Sequence, residues 1–186
     1  MNSPLQILGI AGSLRKQSFN RMALQAAQQL VPKNASIDIY ENLGQIPPFN
    51  QDHEASPPAV VAEFKQIIRA ADAILFATPE YNYSIPGVLK NAIDWASRPY
   101  GDSAWSGKPV AIMSASGGIF GGARAQYALR QSFIFLNMFP VNQPEVMIGK
   151  ANEKFHANGN LTDENSRKLI TQLLQNLVDW THLLAK

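Results

Sequence analysis

The chain has 186 residues, 46% hydrophobic and 16% charged, which suits one domain with a sizeable core. Sixteen Lys and Arg stand against 14 Asp and Glu, and the densest basic group (Arg15, Lys16 and Arg21) suits one phosphate group, not a nucleic-acid duplex. The absence of cysteine excludes disulfides, thiolate metal sites and cysteine nucleophiles.

In chain order, the first apolar run covers residues 5–11 and shows little alternation. Such a short, continuously apolar segment predicts a strand buried on both faces, as in a parallel sheet covered by helices. Met22, Ala26 and Leu30 then repeat at a spacing of four, which predicts a helix. Residues 36–40 alternate, as an edge strand would, and the Pro-rich stretch 42–58 reads as a long connection. Val60, Val61, Phe64, Ile67 and Ile68 share one helical face, and 73–78 is a second buried strand. Leu89, Ile93 and Ala96 predict another helix, followed by a strand at 110–114. Segment 124–139 is a helix apolar on more than one face, so a partner subunit is expected to cover the side that the sheet leaves free. A strand at 146–148 and a helix carrying Leu169, Leu173 and Leu177 close the chain, with Thr162 as the expected helix cap. This alternation predicts a doubly wound α/β sheet, whose ligands bind beyond the carboxyl ends of the strands.

Three loops leave strands at that edge: 12–20, 79–86 and 115–122. The first runs Gly12-Ser13-Leu14-Arg15-Lys16-Gln17-Ser18-Phe19-Asn20 into a helix start, where free N–H groups and the helix dipole attract an anion. Ser13 and Ser18 add hydroxyls, Asn20 an amide, and Arg15 a planar cation suited to phosphate. It matches neither a Walker A pattern nor G-x-G-x-x-G, and a plain polar turn that caps the helix is the competing reading. The second loop, Thr78-Pro79-Glu80-Tyr81-Asn82-Tyr83-Ser84-Ile85-Pro86, sets two aromatics in a turn stiffened by prolines. A flat conjugated ligand would give those rings a partner. Arg98, Tyr100 and Trp105 flank this loop, either to contact a nucleotide or as an ordinary surface loop. His53, His156 and His182 lie off the binding loops and read as surface or structural.

G-S-L-R-K-Q-S-F-N at 12–20, together with P-E-Y-N-Y-S-I-P-G-V-L-K-N-A-I-D-W at 79–95, closely resembles the NADPH-dependent FMN reductases. Within these it looks most like the bacterial chromate and quinone reductases. The likeness continues through Gly107-Lys108-Pro109-Val110 and Gly121-Gly122-Ala123-Arg124. It departs from the commonest phosphate loop at Gln17, where a glycine is frequent.

The resemblance implies a single flavodoxin-like domain over 1–186, with a five-stranded parallel sheet of order 2-1-3-4-5 and helices on both faces. It implies FMN as cofactor, NADPH or NADH as donor, and ping-pong two-electron reduction of a small-molecule acceptor such as a quinone, chromate, an azo compound or flavin. Ser13, Arg15, Ser18, Phe19 and Asn20 would hold the FMN phosphate. Pro79, Glu80, Tyr81, Asn82, Tyr83 and Ser84 would line the isoalloxazine and ribityl chain, and Ser116 and Gly117 the third side. Hydride transfer through flavin needs no metal and no catalytic side chain. A cytoplasmic homodimer or homotetramer is expected, with no membrane or nucleic-acid partner. A flavodoxin-type electron carrier is the rival function, but carriers of that kind are usually strongly acidic and this chain carries a net +2. A response-regulator-like domain would need acidic residues where Ala11-Gly12 and Thr78-Pro79 stand.

Overall fold

The computed structural model describes residues 4–185. Strands β1 (Leu5–Ala11), β2 (Ala35–Tyr40), β3 (Ala73–Ala77) and β4 (Pro109–Ala115) are parallel neighbours in the order β2-β1-β3-β4. The fifth position is filled in two pieces, β5 (Phe139–Pro140) and β6 (Val146–Ile148), both parallel to β4 on its far edge. This is the flavodoxin-like order expected from the resemblance, with the last strand interrupted at 141–145. The direction of winding reverses between β1 and β3, which opens the crevice where doubly wound sheets bind ligands.

Helices α1 (Phe19–Leu30) and α6 (Glu164–Leu184) cover one face; α2 (Ala59–Ala70), α3 (Gly87–Ala96) and α4 (Ala123–Leu136) cover the other. A four-residue turn of helix, α5 (Ala151–Lys154), follows β6. The pleat sends alternate strand residues into two cores. Ile7, Leu75 and Met113 pack beneath α1 and α6, while Leu8, Ile10, Ile74, Phe76 and Ile112 pack beneath α2 to α4. All five residues of β3 are buried, which is why that run shows no polar alternation. Among the described residues β2 pairs only with β1, and its mixed burial matches the alternation of an edge strand.

Several details differ from the expectations, among them the end of α4, which stops at Leu136 where the sequence predicts a helix to residue 139. The cap of α6 is Asp163, not Thr162: its carboxylate accepts from the Ser166 N–H at 2.8 Å and the Ser166 hydroxyl at 2.6 Å. Those hydrogen bonds hold the Asp163 carboxyl below its ordinary pKa. Trp105 is fully buried and donates its indole N–H to the Ile93 carbonyl at 3.0 Å, so it is a core residue and not a nucleotide contact. The long connection 42–58 contains two short 3-10 turns, Leu43–Gln45 and Gln51–His53.

The start of β4 is fastened to the end of α2 by Lys108, whose ammonium donates to the Ala71 and Arg69 carbonyls at 2.5 and 2.9 Å. These are orphan carbonyls of a helix end, and a cation is the natural cap for them. Burial pushes the Lys108 pKa down.

Candidate functional site

The crevice at the carboxyl edge is a junction in which each of the three loops touches the other two. The first meets the second at Gly12, whose N–H donates to the Ala77 carbonyl at 2.8 Å. A β-carbon on Gly12 would stand 3.0 Å from Thr78 Oγ1 and 3.1 Å from Leu89 Cδ2, so the approach requires glycine. The first meets the third through Asn20, which is buried. Its amide nitrogen donates to the Ala115 carbonyl at 2.9 Å and its amide oxygen accepts from the Ala115 N–H at 2.8 Å. The second meets the third at Gly122, where a β-carbon would lie 3.5 Å from the Thr78 carbonyl oxygen, and Glu80 reaches just past it to α4: its carboxylate accepts from the Arg124 N–H at 3.1 Å and lies 2.5 Å from Arg124 Nε.

The first loop presents backbone more than side chains. Ser18 caps α1 by accepting from the Arg21 N–H, leaving its own hydroxyl hydrogen to be donated elsewhere. Phe19 turns into the core and stacks on Phe155 with ring centroids 5.6 Å apart. With Asn20 bound to Ala115, the side chains of Phe19 and Asn20 face away from any ligand, so a share in anion binding falls to their N–H groups. Among the described residues, the N–H groups of Leu14, Lys16, Gln17, Ser18, Phe19 and Asn20 have no protein acceptor. Unpaired donors at a helix start make a candidate anion nest. The Arg15 guanidinium folds over this turn and donates to the Gln17 carbonyl at 3.1 Å. Ser13 lies alongside, its hydroxyl accepting a long bond from the Arg15 N–H. Arg15, Lys16 and Arg21 line a cleft with Ser13, Leu14 and Tyr40, where Arg21 pairs with Glu41.

The second loop reverses these roles. Pro79 is buried. Tyr81 and Ser84 exchange both backbone hydrogen bonds, at 2.9 and 3.0 Å, closing a two-residue hairpin. Its tip residues, Asn82 and Tyr83, both have positive φ, 50° and 67°. That is a type I′ geometry, which glycine usually supplies at the second position. Tyr81 and Tyr83 stand 48% and 71% exposed, so neither ring packs under the loop.

In the third loop, the Ser116 hydroxyl accepts from the Gly118 N–H at 3.2 Å, and the Ser116 backbone is held by Ile148 and Ala151. Gly117 is exposed beside Asn152. Gly121 and Gly122, with φ of 60° and 88°, pass so close to Met147 and Ser114 that a β-carbon would clash with either neighbour. They deliver Arg124 to the crevice, a residue to which the sequence motif alone assigns no part. The signal was present in the Gly-Gly pair just before the helix. Arg98 and Tyr100 lie on a neighbouring surface, with the Arg98 guanidinium 3.9 Å from the Tyr100 ring centroid.

Comparison with known proteins gives this junction a family. The model of the family described as NADPH-dependent FMN reductase matches residues 5–153. The chain belongs to the NADPH-dependent FMN reductase family. It is 55% identical to an NAD(P)H-dependent FMN reductase of Pseudomonas aeruginosa, with 99% of each chain covered. It is 44% identical to a quinone reductase of Pseudomonas putida over 98% of each chain. Among solved structures, the flavoenzyme NAD(P)H:(acceptor) oxidoreductase FerB of Paracoccus denitrificans superposes with a TM-score of 0.88 at 36% identity, covering 96% of this chain and 98% of its own.

The family is one of flavin-dependent oxidoreductases, and the donor set fits FMN. A phosphomonoester needs converging N–H donors and a cation, which the nest and Arg15 offer. A flat ring needs an open slot edged by aromatic and main-chain groups, which the hairpin and the Ser116–Gly118 turn offer. Among the described residues, no helix is long and apolar enough to cross a membrane.

Proposed function

We propose that this FMN reductase family member reduces quinones, and oxidised acceptors of similar reach such as chromate, azo compounds or free flavin, with electrons from NADPH or NADH. The observation that supports this most directly is the crevice itself: an anion nest at one end and two exposed tyrosines on a stiff hairpin at the other. FMN, when bound, supplies the hydride chemistry in both directions. The chain's residues bind and orient. In this reading the unpaired N–H groups of the 14–20 turn, with the side chains of Ser13, Arg15 and Ser18, hold the phosphate. Pro79, Glu80, Tyr81, Asn82, Tyr83 and Ser84 edge the ring, and Ser116 and Gly117 line the opposite side, Ser116 with its hydroxyl and Gly117 with its main-chain N–H. Donor and acceptor take turns in the same slot, so the cycle is ping-pong.

The outer face of α4 supports the expected subunit pairing. Tyr127, Ile134 and Phe135 are 50%, 85% and 72% exposed on it, an apolar surface of the kind that a second subunit covers. In this reading the enzyme works in the cytoplasm as a homodimer or homotetramer.

One sample tests the proposal. Purified FMN-loaded protein is expected to lose its flavin absorbance when mixed anaerobically with NADPH or NADH, and to regain it on addition of a benzoquinone. Sedimentation of that sample should give a multiple of the 20.4 kDa chain. Absorbance that neither nucleotide changes would overturn the enzyme reading, and a single-chain mass the subunit pairing.

A further inference from the structure

We propose that Glu80 and Arg124 form a latch that holds Tyr83 upright at the mouth of the crevice and so sets how flat acceptors enter; the idea rests on the reductase reading above. Tyr83 is the least comfortable residue of the site. It combines a left-handed backbone (φ 67°) with a bulky side chain that is 71% exposed. L-residues other than glycine avoid that region, apart from Asn and Asp, and the exposed ring has no core to compensate it. Such strain persists only where the surroundings over-determine it.

The determinant is the Arg124 guanidinium, whose carbon lies 3.9 Å from the Tyr83 ring centroid and 4.9 Å from that of Phe120. One cation thus ties the tip of the second loop to the third. The cation is itself fixed by Glu80, a carboxylate only 10% exposed, whose two oxygens both serve Arg124. Glu80 also does what Gly122, at the start of α4, lacks a side chain to do: it reaches across and accepts from the helix's first free N–H. The helix end, the guanidinium plane and the hairpin tip therefore move as one body. Glu80 and Arg124 are positioning residues: they act on the acceptor through Tyr83.

Glu80→Gln separates the latch from a simple cap. The substituted amide oxygen can still accept from the Arg124 N–H, but the charge that holds the guanidinium is gone. Arg124→Lys keeps the charge and removes the plane. Amide hydrogen exchange of both variants and the parent, without added flavin, reads the hairpin directly, because the Tyr81 and Ser84 N–H groups are its two bonds. Both variants are expected to exchange those two amides roughly three- to tenfold faster, the range set by losing a cation–π contact held by an ion pair. The amides of β3 and β4 should be unmoved. In the FMN-loaded enzymes, KM for a benzoquinone should rise by a similar factor while kcat changes less. Unchanged exchange at Tyr81 and Ser84 in both variants would overturn the latch and leave Glu80 as a helix cap. Faster exchange with an unchanged quinone KM would overturn its part in acceptor entry. A parent protein that fails to take up FMN would sink the reductase reading, while the exchange result would still decide whether the latch exists.

Discussion

The first and second loops of the crevice are built on opposite plans. In loop 12–20 the side chains make structure: Ser18 caps α1, Phe19 packs on Phe155, and Asn20 bonds Ala115. What remains for a ligand is mainly the main chain, with its unpaired N–H groups. In loop 79–86 the main chain makes structure, through the paired Tyr81–Ser84 turn, and the side chains of Tyr81 and Tyr83 face outward. The difference suits the two ends of one flat, phosphorylated cofactor. An anion is bound well by fixed dipoles that need no rearrangement. A planar ring, and the substrates that alternate above it, are bound by surfaces and edges. A substitution in the first loop should therefore act mainly on folding and cofactor retention, and one in the second on the acceptor.

Asn20→Ala puts the largest strain on this contrast. It leaves the Ala115 N–H and carbonyl buried without partners, at about 1–3 kcal/mol for each group. A loss of roughly 3–4 kcal/mol would lower the thermal midpoint by about 6–16 °C in a chain of this size. Thermal unfolding followed by circular dichroism checks it. A midpoint within 2–3 °C of the parent, a shift worth only about 1 kcal/mol, would mean that Asn20 is not structural and that the two loops are not opposites.

That result bears on how much could be read beforehand. The doubly wound parallel sheet and the three crevice loops were legible, because buried parallel strands leave one-dimensional traces: 5–11 and 73–78 are continuous apolar runs, and Gly12 stands at a strand end; the strand order came with the family resemblance. The partners of Asn20 and Glu80 were not. Asn20 bonds a residue 95 positions away, and Glu80 one 44 positions away, with no spacing rule to announce either. The apolar and aromatic character of Phe19 and Trp105 was visible, but composition does not say whether a ring beside a binding loop turns inward. The α6 cap was misplaced by one residue for a local reason: Thr162 and Asp163 are both good caps, and Ser166 supplies two donors to the second. The break in the last strand was hidden because Phe139–Pro140 is too short to show a period.

Arg15→Ala has an intermediate effect. Arg15 is exposed, and the only side-chain partner it has among the described residues is a carbonyl of its own loop, so its loss should hardly touch the thermal midpoint. A charge-assisted contact to phosphate is worth about 1.5–3 kcal/mol, so the FMN dissociation constant should rise roughly ten- to a hundredfold. Quenching of flavin fluorescence on titration measures it. An unchanged constant would place the phosphate wholly on the backbone nest, which would sharpen the contrast further.

Tyr83→Gly should leave stability nearly unchanged, and it tests the contrast from the other side. Glycine removes a left-handed penalty of about 1–2 kcal/mol and returns about 0.5–1 kcal/mol as extra unfolded-state entropy. It also deletes the Arg124 stack, a further 0.5–1 kcal/mol or so at an exposed ring. These terms nearly cancel, so the midpoint should stay within about 3 °C of the parent. Acceptor kinetics should still change, because the ring at the crevice mouth is gone. A fall as large as that of Asn20→Ala would show that Tyr83, like Asn20, is there to hold the loop, and the division between a main-chain end and a side-chain end of the site would collapse.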